Sequence, residues 1–174
     1  MEAIEPILRL VKYQLQEVLP VNLANAGPAQ ATDETILFLP PPKPQDVVTT
    51  LASLTRERYP FVAIIMDSTT PVDADSLQSC PEDASQRHTF SILFGLSDSE
   101  KNAEDLIFKI SRYAQVIKDT IRDYSPEALD DAFTTSRLDP VDLVFEAGAT
   151  NYSETDRRNS LLVRECVIEF ACYS

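Results

Sequence analysis

From Ala103 to Tyr124, apolar residues fall mostly three or four positions apart, at Ala103, Leu106, Ile107, Ile110, Tyr113, Ala114, Ile117, Ile121 and Tyr124. Charged residues fill most of the gaps, so the spacing predicts a helix over 102–124 with one apolar stripe on a solvated body. Such a helix is marginal alone in water and needs a sheet to lie on. Immediately upstream, His88-Thr-Phe-Ser-Ile-Leu-Phe-Gly-Leu96 predicts a strand, and Ser97-Asp-Ser-Glu100 between the two has the Ser-x-x-Glu spacing of a capping box.

The same reading extends along the chain. Ile4, Ile7, Leu8, Val11, Leu15 and Val18 form a stripe that predicts a helix over 4–18, with Pro6 in its first turn and Pro20 closing it. Residues 21–34 have no period and read as a loop or strap, and 35–39 as a short strand halted by Pro40-Pro-Pro-Lys-Pro44. That proline run is expected to be a stiff spacer, with a ligand for a proline-binding module as the alternative. Val47, Val48, Leu51 and Leu54 suggest a short helix ending before Tyr59-Pro60. Phe61-Val-Ala-Ile-Ile-Met66 is apolar throughout, as a strand buried on both faces would be. Residues 67–87 then form a long polar excursion, read as a loop.

Past the long helix, Ser125-Pro126-Glu127 starts another short helical turn, and Val141-Asp-Leu-Val-Phe145 is a strand candidate. A turn-rich segment over 148–160 separates it from a last strand over 161–173. In that strand Arg164, Cys166, Ile168, Phe170 and Cys172 share one face, opposite Val163, Glu165, Val167 and Glu169. The last two strands are expected to form a long-looped hairpin. The expected fold is α+β: a small mixed, largely antiparallel sheet packed by the long helix and the N-terminal helix, with long inter-strand loops. The 174 residues fit a single domain, with 21–60 as a variable arm carrying the proline spacer and the short helix.

Charge narrows the functions. With 15 Lys and Arg against 28 Asp and Glu, the formal net charge is −13. A protein that grips nucleic acid clusters its cations, so nucleic-acid binding is disfavoured, whereas letting a nucleic acid pass along an acidic wall is compatible. An apolar content of 44% suits a folded chain, and no apolar run approaches the roughly 20 residues of a bilayer span. The N-terminus lacks the layout of a signal peptide, so synthesis in the cytoplasm is expected. Cys80, Cys166 and Cys172 show no metal-ligand or redox spacing, and the last two are expected to be small buried thiols on one strand face.

Enzymatic chemistry finds little foothold. Nucleophile systems that use an imidazole need a well-placed histidine, and the only one, His88, reads as a strand-end surface residue. Asp73, Asp75, Asp130 and Asp131 lack the interleaved donors and glycine of a calcium loop and read as solvated acids. The three glycines are too few for a phosphate cradle. The expectation is a non-enzymatic protein with no cofactor and no metal. Arg157 and Arg158, in a loop of an acidic chain, are candidate contacts for an acidic neighbour.

The order of elements is helix, variable arm, strand Tyr59-Pro-Phe-Val-Ala-Ile-Ile65, long loop, strand, long helix over 102–124 and two C-terminal strands. It resembles that of the tail-terminator and head-to-tail joining (neck) proteins of tailed bacteriophages, through architecture and apolar pattern rather than a diagnostic motif. The resemblance implies a structural virion protein in the tail or neck, typically a hexameric ring. It would cap the tail tube, face the head connector, and in contractile tails meet the sheath, while DNA passes through the lumen without specific binding. No membrane is implied. Candidate interface residues follow by location alone: Asp73, Asp75, Arg87, Tyr152, Arg157 and Arg158. The alternative is a non-enzymatic adaptor that docks through the proline segment.

Overall fold

The computed structural model describes residues 4–26, 39–51, 59–72 and 85–174. The expected strand over 35–39 falls almost wholly outside them, as do Asp73, Asp75, Cys80 and much of the expected arm.

The α+β expectation holds. Among the described residues six strands form one sheet, β1 (Val47–Val48), β2 (Phe61–Pro71), β3 (Gln86–Ser99), β4 (Val144–Tyr152), β5 (Asp156–Arg158) and β6 (Leu161–Tyr173). Their spatial order is β1-β2-β3-β6-β4, with β5 also on β6. Among the described residues only β1 and β2 pair in parallel, and the other pairings are antiparallel. The helices are α1 (Ile4–Tyr13), α2 (Leu19–Ala26), α3 (Ala103–Arg122) and α4 (Pro126–Ser136).

A single core holds sheet and helices together. Phe90, Ile92, Phe94 and Leu96 alternate along β3, and Cys166, Ile168, Phe170 and Cys172 along β6, as the sequence reading of that strand required. Opposite them α3 buries Leu106, Ile110, Tyr113, Ala114, Ile117 and Ile121, each at most 1% exposed. The stripe is narrower than the spacing suggested: Ile107, with Phe108 beside it, lies nearly half exposed on the solvent side of α3. Phe94 stacks on Tyr113 at 5.0 Å between ring centroids, and Phe90 on Phe170 at 5.2 Å. The Tyr113 hydroxyl finds no hydrogen-bond partner among the described residues, and its burial drives the phenol well above its ordinary range.

Several local expectations are corrected. Pro20 does not close the N-terminal helix. A π turn, Gln14–Val18, joins α1 to α2 and the helix runs through Pro20 to Ala26. Proline lacks an N–H and crowds the carbonyl four residues back, and the widened turn directly before it absorbs that mismatch. Burial of Leu19 and Leu23, together with two hydrogen bonds to α3, keeps this extension in place. Gln14 Nε2 donates to the Thr120 carbonyl and Asn22 Nδ2 to Thr120 Oγ1, both at 2.8 Å.

Val47 and Val48 are not helical but form a short parallel strand beside Val62 and Ala63. The polar stretch over 67–87 is strand at both ends, since β2 continues to Pro71 and β3 begins at Gln86. Likewise 148–160 is mostly strand. β4 runs to Tyr152, and β5 and β6 join through Asn159 and Ser160, whose φ values of 49° and 70° make a two-residue hairpin turn of the kind that suits strand twist. The second helical turn is a full helix, α4, with Ser125 Oγ accepting from the Ala128 N–H at its N-terminus.

The proposed capping box fails as well, because Ser97 lies inside β3. Asp98 takes over instead. Its carboxylate accepts from the Ser99 N–H at 2.7 Å, from Asn102 Nδ2 at 2.9 Å and from Lys109 Nζ at 2.6 Å, tying β3 to the start of α3. Burial alone would raise the Asp98 carboxyl, but the hydrogen bonds from Lys109, Asn102 and the Ser99 amide outweigh it and hold it below its ordinary value of 3.8. A depressed folded-state value contributes stability that is full above the unfolded value and is lost as pH falls through the folded one. Asp98→Asn is therefore expected to cost about 1–2 kcal/mol at pH 7. The difference from the parent should shrink as the pH drops below about 4, as measured by urea midpoints across an acid pH series.

Candidate functional site

The sequence-derived interface residues occupy two places on the sheet. Arg157 and Arg158 sit on β5 at the hairpin end, where Arg158 pairs with Leu161 across β6. Arg87 lies on β3 opposite Tyr173. The twelve residue steps of β6 from Leu161 to Tyr173 set the two places roughly 40 Å apart along the strand. Asp73 and Asp75 lie outside the described residues.

At the hairpin end both arginines already have partners within the chain. Arg157 pairs with Glu100 at the start of the turn into α3, with both side chains exposed. Arg158 Nη1 donates to the Tyr59 hydroxyl at 2.8 Å, and its Nε to Asp156 Oδ2 at 3.2 Å. The Tyr59 hydroxyl in turn donates to Glu165 Oε1 at 3.3 Å. The Arg157 N–H, then Arg158, lower the Asp156 carboxyl, while Asp156 holds the Arg158 guanidinium up. Tyr59 is shifted upward by burial first and by the Glu165 charge second. Tyr152, at 42% exposure, sits near the end of β4 with Arg164 over its ring at 6.0 Å.

Gly95 explains why this network forms. A Cβ built there would stand 2.4 Å from Phe61 Cε1 and 2.8 Å from Tyr59 Cε1, so the two rings lie across the glycine on the sheet face away from the helices. Tyr59 thereby reaches Arg158 and Glu165. A lone glycine in an apolar strand is the one sequence signal that could have pointed to this close approach, but it names neither the rings nor the arginine.

Arg87 belongs to a different setting. It lines a hollow of about 320 Å³ on the sheet surface together with Asp67, Thr89, Glu146, Gly148 and Glu169. Three carboxylates and one guanidinium from four strands thus meet on this face. Among the described residues, no group of three or more His, Cys, Asp or Glu side chains could hold a metal ion.

His88 overturns its reading as a surface residue. It is fully buried, with Nδ1 3.0 Å from Thr69 Oγ1 and Nε2 3.0 Å from Ser174 Oγ. Those hydroxyls join β2 and the end of the chain to β3, where Ser174 also exchanges backbone hydrogen bonds with Gln86. Cys166 and Cys172 are buried free thiols, as expected from their shared face. Asp130 and Asp131 lie exposed on α4.

The proline run is tied to the domain on one side. Leu39 and Pro42 are buried, and Gln16 Nε2 donates to the Pro44 carbonyl at 2.8 Å. Among the described residues, no helix is long and apolar enough to cross a membrane.

These features describe an α+β protein that presents polar networks at both ends of one sheet. No protein-family model matches the chain, and no curated protein matches it significantly in sequence.

Proposed function

We propose that the chain is a structural virion protein of a tailed bacteriophage, a tail-terminator or neck component that forms a hexameric ring, caps the tail tube and meets the head connector. One observation supports the reading most: the order of elements on which the resemblance rests folds into one α+β domain, with helices packed on a mostly antiparallel sheet. The −13 charge supports it, because an acidic lumen lets DNA slide without adhering. Half-exposed Ile107 and Phe108 on α3, Val144 and Tyr152 on the edge strand β4, and Leu161 at the start of β6 are the kind of side chains that neighbouring subunits cover. The adaptor alternative receives less support. Its docking segment has Pro42 buried and the Pro44 carbonyl engaged by Gln16, which fits a spacer fixed to the domain.

The test is assembly. Native mass spectrometry and negative-stain imaging should show six-fold rings, either of the purified chain or after addition of a tail-tube protein. Monomer in both settings would overturn the ring. Replacing Arg157 and Arg158 together by Ala should weaken ring formation and leave the monomer folded. Their ion pairs are exposed, so the change should cost no more than about 1–2 kcal/mol, or a few degrees of melting temperature. Unchanged rings would remove these arginines from the interface, and an unfolded monomer would make them structural.

A further inference from the structure

The outermost strand on one side of the sheet is β4. Among the described residues it pairs only with β6, so its outer edge carries backbone N–H and C=O groups with no strand beside them. Seven of its nine residues are exposed, including Val144, Glu146, Gly148 and Tyr152. A long uncovered edge is a template for another strand, and proteins usually blunt it with lysines, prolines or a bulge. β4 has the bulge, between Ala147 and Thr150. It has neither lysine nor proline.

Its charge decides what can pair with it. Between Arg137 and Arg157 the chain carries Asp139, Asp142, Glu146, Glu154 and Asp156 and no Lys or Arg. Two copies of β4 side by side would add Glu146 of each, with Asp142 and Glu154 flanking it, and no cation from either segment, an arrangement that like-charge repulsion opposes. An extended segment carrying lysines or arginines meets the opposite situation. Its backbone would complete the ladder, and its cations on one face would stand beside Glu146 at the mouth of the hollow, where Glu146, Glu169 and Asp67 outnumber the one guanidinium of Arg87.

The geometry points to β4 as a strand-addition site for a basic, extended segment of another protein. The site does not depend on the ring reading and would exist on a monomer.

A nine-residue peptide of alternating lysine and valine, added to the full chain at low salt, tests it. Fluorescence anisotropy should report binding, and hydrogen exchange should show slowed amides at 144–152 and little change elsewhere. A lysine–proline peptide of the same length and charge, which cannot form a ladder, should bind at least about tenfold more weakly. The double variant Asp142→Lys with Glu146→Lys, both exposed positions, should weaken the lysine–valine peptide by a similar factor while keeping the parent's circular dichroism.

Equal affinity for the two peptides would reduce the effect to charge alone and overturn strand addition. So would protection confined to other residues, or no binding at all. Concentration-dependent protection of 144–152 without peptide would identify a second copy as the occupant and overturn the proposal equally.

Discussion

Ile110→Asp is expected to leave no cooperatively folded protein. Ile110 is 1% exposed on the buried side of α3, among side chains that meet β3 and β6. A carboxylate placed there would have neither water nor a cation to compensate it. Forcing it in costs more than about 4 kcal/mol, a large share of the roughly 5–15 kcal/mol that holds a domain folded. Circular dichroism should show no sigmoidal thermal transition, and assembly should vanish with the fold. Ile107→Asp is the matched control, one helical turn away on a half-exposed position, and should shift the melting temperature only slightly. A well-folded Ile110→Asp variant would mean that α3 does not cover the sheet.

Phe94→Ala tests the sheet's side of the same seam. The Phe94 ring is fully buried and stacked on Tyr113, so its removal loses apolar burial and opens a cavity between β3 and α3. Truncations of this kind cost about 3–5 kcal/mol. Denaturant titration should record that loss with an unchanged slope, since the surface exposed on unfolding stays nearly the same. A loss under about 1 kcal/mol would show that the neighbours collapse into the space and that the stack contributes little.

Both predictions rest on parts of the fold that the sequence announces locally. The three-and-four spacing of Leu106, Ile110, Tyr113 and Ile117 needs nothing beyond helical geometry to be seen, and the alternation of Cys166, Ile168, Phe170 and Cys172 needs only the pleat. Where the reading failed, a distant partner had made the decision. Pro20 looks like a helix terminator until Thr120, a hundred residues on, anchors both Gln14 and Asn22. Val47 and Val48 read as helical by spacing, yet Val62 and Ala63 recruit them into the sheet. β4 is exposed on both faces for most of its length, so it has no alternation to betray it and its glycine and polar residues imitate a turn.

The candidate site shows the same division. Arg157 and Arg158 stand out as adjacent charges, but their partners Glu100, Tyr59 and Glu165 come from other elements. His88 was misplaced because its burial depends on Thr69 and Ser174 supplying a hydroxyl to each ring nitrogen, a complementarity that no local pattern encodes.

The two thiols of β6 give the chain a built-in clock. Burial pushes Cys166 up to about 12 and Cys172 higher still, so neither offers a reactive thiolate at neutral pH while the helices cover the sheet. Alkylation at these two positions should therefore proceed no faster than the helical layer lifts. Mass spectrometry of labelled peptides would time that opening and, during assembly, show whether joining neighbours slows it.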